Sequence, residues 1–251
     1  MGKRVVYHYH ENAFVKGTFY KVLATIMQKL AHKIICVSEY QASFLQQKKC
    51  VITVPNALPQ NFVNRLTPNF QAAFKRKHIL MLGSLKLYKS PLEFIELTKR
   101  LPQFIFVLVI NDTKENINIF IKEYKINISK NLTIYPQQND VVPFYNQTSL
   151  VLNLSNKKQF VETFGLTALE AMSAGLPVIV PTEGGIAEMV VDGENGYKID
   201  VQNLNQIAEC IKTILSDETL YMELAQNALA YSKRFSEAKM VNSIEMILNR
   251  K

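Results

Sequence analysis

VETFGLTALEAMSAGLPVIV, residues 161–180, decides how this chain folds. Gly175 followed by Pro177 ends a helix, because glycine takes up the turn and proline cannot continue it. The β-branched and apolar run Pro177 to Val180 then reads as a buried strand. The helix before it spans roughly Leu166 to Ala174. Thr167 and Glu170 have the T-x-x-E spacing of a capping box. On that reading Glu170 caps its own helix and Glu162 is a surface loop residue.

The same unit, loop to helix to buried strand, recurs along the chain. Strand-like runs are Val5 to Tyr7, Ile34 to Val37, Val51 to Val54, His78 to Gly83, Phe104 to Ile110, Leu132 to Tyr135 and Leu150 to Leu154. Helical patterns such as Thr18 to His32 and Pro91 to Arg100 separate them. Short apolar strands alternating with helices predict parallel sheets built from βαβ units, an α/β fold. The first block holds three strands and closes at Pro55-Asn56 and Pro59, ahead of a polar connector at Asn61 to Lys77. The second begins at Ile79 and holds at least five strands, enough for a doubly wound domain. Helices follow, with Leu220, Leu224, Ala228 and Tyr231 on one stripe. The expected divisions are 1–75, 76–235 and a C-terminal helix at 236–251.

Charge is uneven. Residues 1–75 carry ten Lys/Arg against two Asp/Glu, whereas the rest carries nineteen of each. Two readings stand: a face for anionic lipid or an anionic acceptor, or a solvated basic surface. No nucleic-acid recognition motif accompanies the charge. No run reaches the ~18 apolar residues of a membrane span, and the N-terminus lacks a signal-peptide core. A cytoplasmic location is expected, with a peripheral place on the inner face of the membrane if the basic third meets lipid. Cys36, Cys50 and Cys210 form neither a disulfide framework nor a metal pattern.

Residues 161–180 also admit a functional reading. A helix start offers unpaired N–H groups and partial positive charge, which suit phosphate, and Gly165 allows close approach. A carboxylate accepts hydrogen bonds from vicinal hydroxyls. Glu162 before the helix and Glu170 inside it could hold two sugars flanking a diphosphate, as in a nucleotide-sugar.

Glu162-x7-Glu170, with Phe164-Gly165 and Ala171 to Val178, resembles the E-x7-E motif of retaining glycosyltransferases, especially glycosyltransferase family 4. Glu183-Gly184-Gly185-Ile186-Ala187-Glu188, Asp192-Gly193-Glu194-Asn195-Gly196 and Val54-Pro55-Asn56-Ala57 match as well. The resemblance implies a GT-B fold: a complete C-terminal Rossmann-like donor domain and a partial N-terminal, acceptor-side Rossmann-like domain. It implies that Glu170 binds the ribose and Glu162 the donor sugar. Backbone groups at Phe164, Gly165, Leu166 and Thr167 would meet sugar and phosphate. Gly83 and Ser84 open the segment that usually supplies phosphate-binding cations. Lys89 falls on that segment's lysine position, whereas Ser84 replaces the usual arginine and Ser90 the usual glycine. Lys86 is either a substitute cation or a solvated loop lysine. His10, with His8 second, matches a cleft-facing histidine that orients the sugar or acceptor. Tyr135 stands at a strand end where the base is commonly held, or packs there.

The catalytic set implied is thus His10, Lys89 and Glu162, with no metal and no cofactor beyond the nucleotide diphosphate sugar. The expected reaction is hexose transfer with retention to a glycan or lipid-linked acceptor, in bacterial surface polysaccharide synthesis of the capsule or lipopolysaccharide type. The alternatives are a non-catalytic nucleotide-sugar binding module or inactive truncated remnant, or one subunit of a split enzyme. The family's opening strands are missing ahead of Val5. A disrupted gene, a partner chain supplying the N-terminal half, or a piece of a longer chain would each account for that.

Overall fold

The computed structural model describes residues 4–10, 18–46 and 50–249. Strands β1 (Val6–Tyr9), β2 (Lys33–Cys36) and β3 (Val51–Thr53) form one sheet in that order. Strands β4 (His78–Gly83), β5 (Ile105–Ile110), β6 (Leu132–Tyr135), β7 (Leu150–Leu152), β8 (Val178–Val180) and β9 (Gly196–Lys198) form a second. Its order is β6-β5-β4-β7-β8-β9. All strand pairings in both sheets are parallel. This follows from the helical crossovers, which return the chain to the same end of the sheet each time.

The order reverses between β4 and β7. After β4 the chain builds outward through β5 and β6, and from β7 it builds the other way. Ligands of open α/β sheets bind beyond the carboxyl ends of the strands at such a switch point. Gly83 ends β4 there, and Asn111 and Asn153 follow β5 and β7.

The Pro91–Arg100 helix shows how one crossover is held. Pro91 occupies its first turn, Glu93 lies near its start, and Lys99 and Arg100 near its end, each favoured by the helix dipole. Phe94, Ile95 and Leu97 are buried. Phe94 meets Phe106 of β5 edge to face at 5.4 Å. Burial of each such ring is worth about 1.5–3 kcal/mol.

The connector is more integrated than its polar composition suggests. It forms helices Gln60–Val63 and Phe70–Arg76, and Leu58, Leu66 and Ala73 are buried in the core of the second domain. The C-terminal helix, Glu237–Asn249, returns to the first sheet. Its Ile247 is buried with Ile35 and Val54, and Arg4 donates to the Ile247 carbonyl at 2.7 Å. The two crossings run side by side, with a bridge between Leu58 and Ser236.

The two domains meet at a polar seam. The Glu188 carboxylate accepts the backbone N–H groups of Glu39, at 3.1 Å, and Tyr40. The Tyr40 hydroxyl donates to Glu183 at 3.0 Å. Burial, then that carboxylate, pushes the Tyr40 phenol up to about 12, so it remains a donor.

Candidate active site

A cleft of about 860 Å³ opens at the switch point. It is lined by Gly83 to Lys86, Tyr88 and Lys89 after β4, Asn111 and Asp112 after β5, and Asn153 to Ser155 after β7. Glu162 to Thr167 close one wall, and Asn56 reaches in from the end of the first domain.

Lys89 and Glu162 meet inside it. The Lys89 ammonium pairs with Glu162 Oε1, and Ser155 Oγ donates to the same oxygen at 2.8 Å. Their side chains are 25% and 15% exposed, so the pair sits in a polar niche that solvent still reaches. Lys89 also lies 4.4 Å from the centre of the Phe160 ring, which stacks on Tyr88 at 4.8 Å. A cation over an aromatic face is favoured and loses orientational freedom. Lys89 ends the short turn Leu87–Lys89, and Ser90 follows at φ 56°. This left-handed backbone explains why the family pattern has glycine at that position. The Ser90 hydroxyl is buried without a hydrogen-bond partner among the described residues.

The helix of the opening stretch spans Leu166–Ser173 and starts from Gly165 at φ 93°. A Cβ on Gly165 would lie 2.5 Å from Ile186, so glycine is required twice over, by angle and by space. Among the described residues, no side chain caps this helix. The capping box does not form, because Thr167 is already helical and accepts a hydrogen bond from Asn153 at 3.3 Å. Gly165, Leu166 and Thr167 line the cleft, so the uncapped end faces it.

Glu170, released from capping, lies one turn further in and accepts a hydrogen bond from the Tyr145 hydroxyl. Burial holds its carboxyl above the usual range, and the Tyr145 bond pulls the other way. A carboxyl raised on folding adds stability in its protonated form. That contribution is complete below the unfolded value of ~4.3 and is lost as pH rises through the folded one. At pH 7 the ionised Glu170 therefore costs stability. Glu170→Gln is expected to melt above the wild type at pH 7, with the gap narrowing towards pH 4. Thermal melts followed by circular dichroism check this, and a gap constant across that range would remove burial as its cause.

Several residues singled out from sequence lie elsewhere. His10 is exposed, contacts the His8 ring at 4.0 Å, and is not among the residues lining the cleft. Tyr135 packs edge-on against Phe144 and lines a separate hollow of about 260 Å³ with His78 and Pro143. β6 is the sheet edge, two strands removed from the switch point. The Phe164 ring is buried against Phe235, leaving only its backbone for a ligand. Gly83, Ser84 and Lys86 do line the cleft. Ser155, Phe160 and Tyr145 were not legible as site residues, because only the folded sheet brings them to Glu162, Lys89 and Glu170. Among the described residues, no three His, Cys, Asp or Glu side chains cluster as a metal site, and no helix is long and apolar enough to cross a membrane.

Comparison with known proteins bears on the fold and the family. An uncharacterized glycosyltransferase of Methanocaldococcus jannaschii is 29% identical over 93% of this chain and 63% of its own length. The N-acetyl-alpha-D-glucosaminyl L-malate synthase of Bacillus anthracis is 30% identical over 56% of this chain and 36% of its own. This chain thus spans less than two thirds of those relatives. Anabaena HepE, solved with UDP and glucose, superposes with a TM-score of 0.82 over 99% of this chain and 72% of its own, at 20% identity. The fold is GT-B. The family model for glycosyl transferases group 1 matches residues 65–231, from the connector into the helix Glu218–Ser232, and the chain belongs to that family.

Proposed function

We propose that the cleft binds a nucleoside diphosphate hexose and that the hexose passes to a hydroxyl of a glycan or lipid-linked acceptor with its anomeric configuration retained. The observation that carries this reading is the meeting of Lys89 and Glu162 beside the uncapped start of the Leu166–Ser173 helix, at the switch point of the sheet. One cation and a row of backbone donors suit a diphosphate, and a carboxylate next to them suits sugar hydroxyls.

In this mechanism Lys89 and the helix end stabilise the charge that builds on the departing diphosphate. Glu162 orients the hexose, and Glu170 receives the ribose hydroxyls. No metal is assigned a part. Ser84 adds a hydrogen bond without charge, and Lys86, exposed at the rim, is the second cation within the cleft lining. His10 is given no role. Retention is supported by relatives named for alpha-linked products, such as the poly(glycerol-phosphate) alpha-glucosyltransferase of Bacillus subtilis, 27% identical over 56% of this chain. A polymeric acceptor of that kind favours a place in surface polysaccharide assembly.

Calorimetric titration with UDP, GDP and their hexose conjugates tests the reading. One of the two diphosphates is expected to bind, and Glu170→Ala to abolish that binding at the concentrations used. A folded chain that binds neither would end the proposal.

A further inference from the structure

The reading above leaves unexplained why Tyr145 carries a hydroxyl at all. Its side chain is fully buried in the main core. Phenylalanine would fill the same volume without burying a polar group, a burial that costs free energy unless the group is bonded. Among the described residues the phenol makes one hydrogen bond, to Glu170 Oε2. Burial, then the charge of Glu170, holds the phenol far above its ordinary value, so it donates and does not ionise.

We propose that Tyr145 is a positioning residue: its O–H fixes the Glu170 carboxylate so that the second oxygen, Oε1, is presented to the 2′ and 3′ hydroxyls of the nucleotide's ribose. This rests on the donor reading above and assigns it one more residue. Tyr145 holds Oε2, while Oε1 has no hydrogen-bond partner among the described residues. Glu170 is not itself among the residues lining the cleft; it stands three residues beyond Thr167, one turn behind the helix start that does line it. A carboxylate with one oxygen tied from inside keeps a single rotamer, and a diol meeting it loses less freedom on binding.

The tyrosine itself is held from outside the donor domain's sheet. Its ring meets Phe62 of the connector edge-on at 6.3 Å. The helix that carries it, Val142–Asn146, is tied to the connector twice. Asn146 accepts the Thr67 N–H at 2.9 Å and donates to the Arg65 carbonyl at 3.1 Å. The interdomain connector thus braces the residue that braces Glu170.

The test compares UDP, or GDP if that is the diphosphate the wild type binds, with its 2′,3′-dideoxy form by calorimetry, on the wild type and on Tyr145→Phe. Wild type is expected to prefer UDP on the order of a hundredfold, the effect of two hydrogen bonds to a carboxylate. Tyr145→Phe is expected to weaken UDP about tenfold and to leave dideoxy-UDP within about twofold, as one misplaced acceptor predicts. In a Glu170→Gln background, where no charge is left unpaired, Tyr145→Phe should cause no further loss. Equal weakening of both nucleotides would make Tyr145 a packing residue and overturn the proposal. So would an unchanged preference for UDP. Failure of the donor reading is distinguishable, because wild type itself would then show no binding or no preference between the two ligands.

Discussion

Lys89→Ala is expected to weaken UDP on the order of a hundredfold while leaving uridine within about twofold, since two charge-assisted contacts worth about 1.5–3 kcal/mol each are offset in part by the cost of parting Lys89 from Glu162. The argument starts from the ligand-free state. There Lys89 is already paired with Glu162, in a niche where both side chains are mostly buried. A diphosphate brings more negative charge than one carboxylate and competes for the ammonium. The uridine moiety makes no claim on it. Titrations with uridine, UMP and UDP therefore separate the roles: the loss should grow with each phosphate. An equal loss for uridine and UDP would mean that Lys89 holds Glu162 and the wall in shape and touches no phosphate.

Glu162→Gln supplies the opposite sign. Removing its charge frees Lys89, so UDP is expected to bind as well as before or a few-fold tighter, by the cost of parting an ion pair. Transfer should fall, because glutamine offers sugar hydroxyls a weaker acceptor. One substitution that strengthens product binding and slows transfer, beside another that weakens binding, is a pattern no general loss of folding produces.

Much of this was readable in the sequence, and what was not has physical causes. The apolar runs placed eight of the nine strands found among the described residues, because buried parallel strands are nearly uniform in hydrophobicity. β9 escaped: Gly196-Tyr197-Lys198 is a strand only because β8 lies beside it. The connector looked polar, and apolar positions within it such as Phe62, Leu66, Phe70 and Ala73 carry meaning only against the second domain. In the site, spacing alone brought out Glu162, Gly165 and Glu170, which share one loop and helix. Strand alternation set His8 and His10 on one face, and their rings touch. Alternation says nothing of distance to the cleft, and His10 lies outside its lining. Tyr145 is 25 residues from Glu170, across β7, and no local pattern links them.

The glycines at Gly184-Gly185 were legible as a motif, and the structure gives them a reason that leads to the largest stability effect. The Gly185 N–H donates to the Glu162 carbonyl at 2.8 Å. A Cβ on Gly185 would stand 1.9 Å from the Thr163 carbonyl oxygen and 2.7 Å from Ser38 Oγ of the first domain. The first obstacle is backbone and cannot rotate away. Gly185→Ala must move either the Glu162–Thr163 wall or its own helix, Gly185–Glu188, whose last residue ties the two domains. The expected cost is about 3 kcal/mol, at the upper end of overpacking. For a chain of this size that lowers the melting temperature by roughly 6–12 °C. Gly193→Ala is the control. Its Cβ would meet nothing closer than the Tyr197 hydroxyl at 4.0 Å, so only its φ of 77° opposes it. That costs about 1–2 kcal/mol. Gly185→Ala should also impair UDP binding in the folded fraction, because the wall that shifts carries Glu162, whereas Gly193→Ala should not. Melting within 2 °C of the wild type, with UDP binding intact, would show that the wall yields freely and that the glycine pair does not set the position of Glu162.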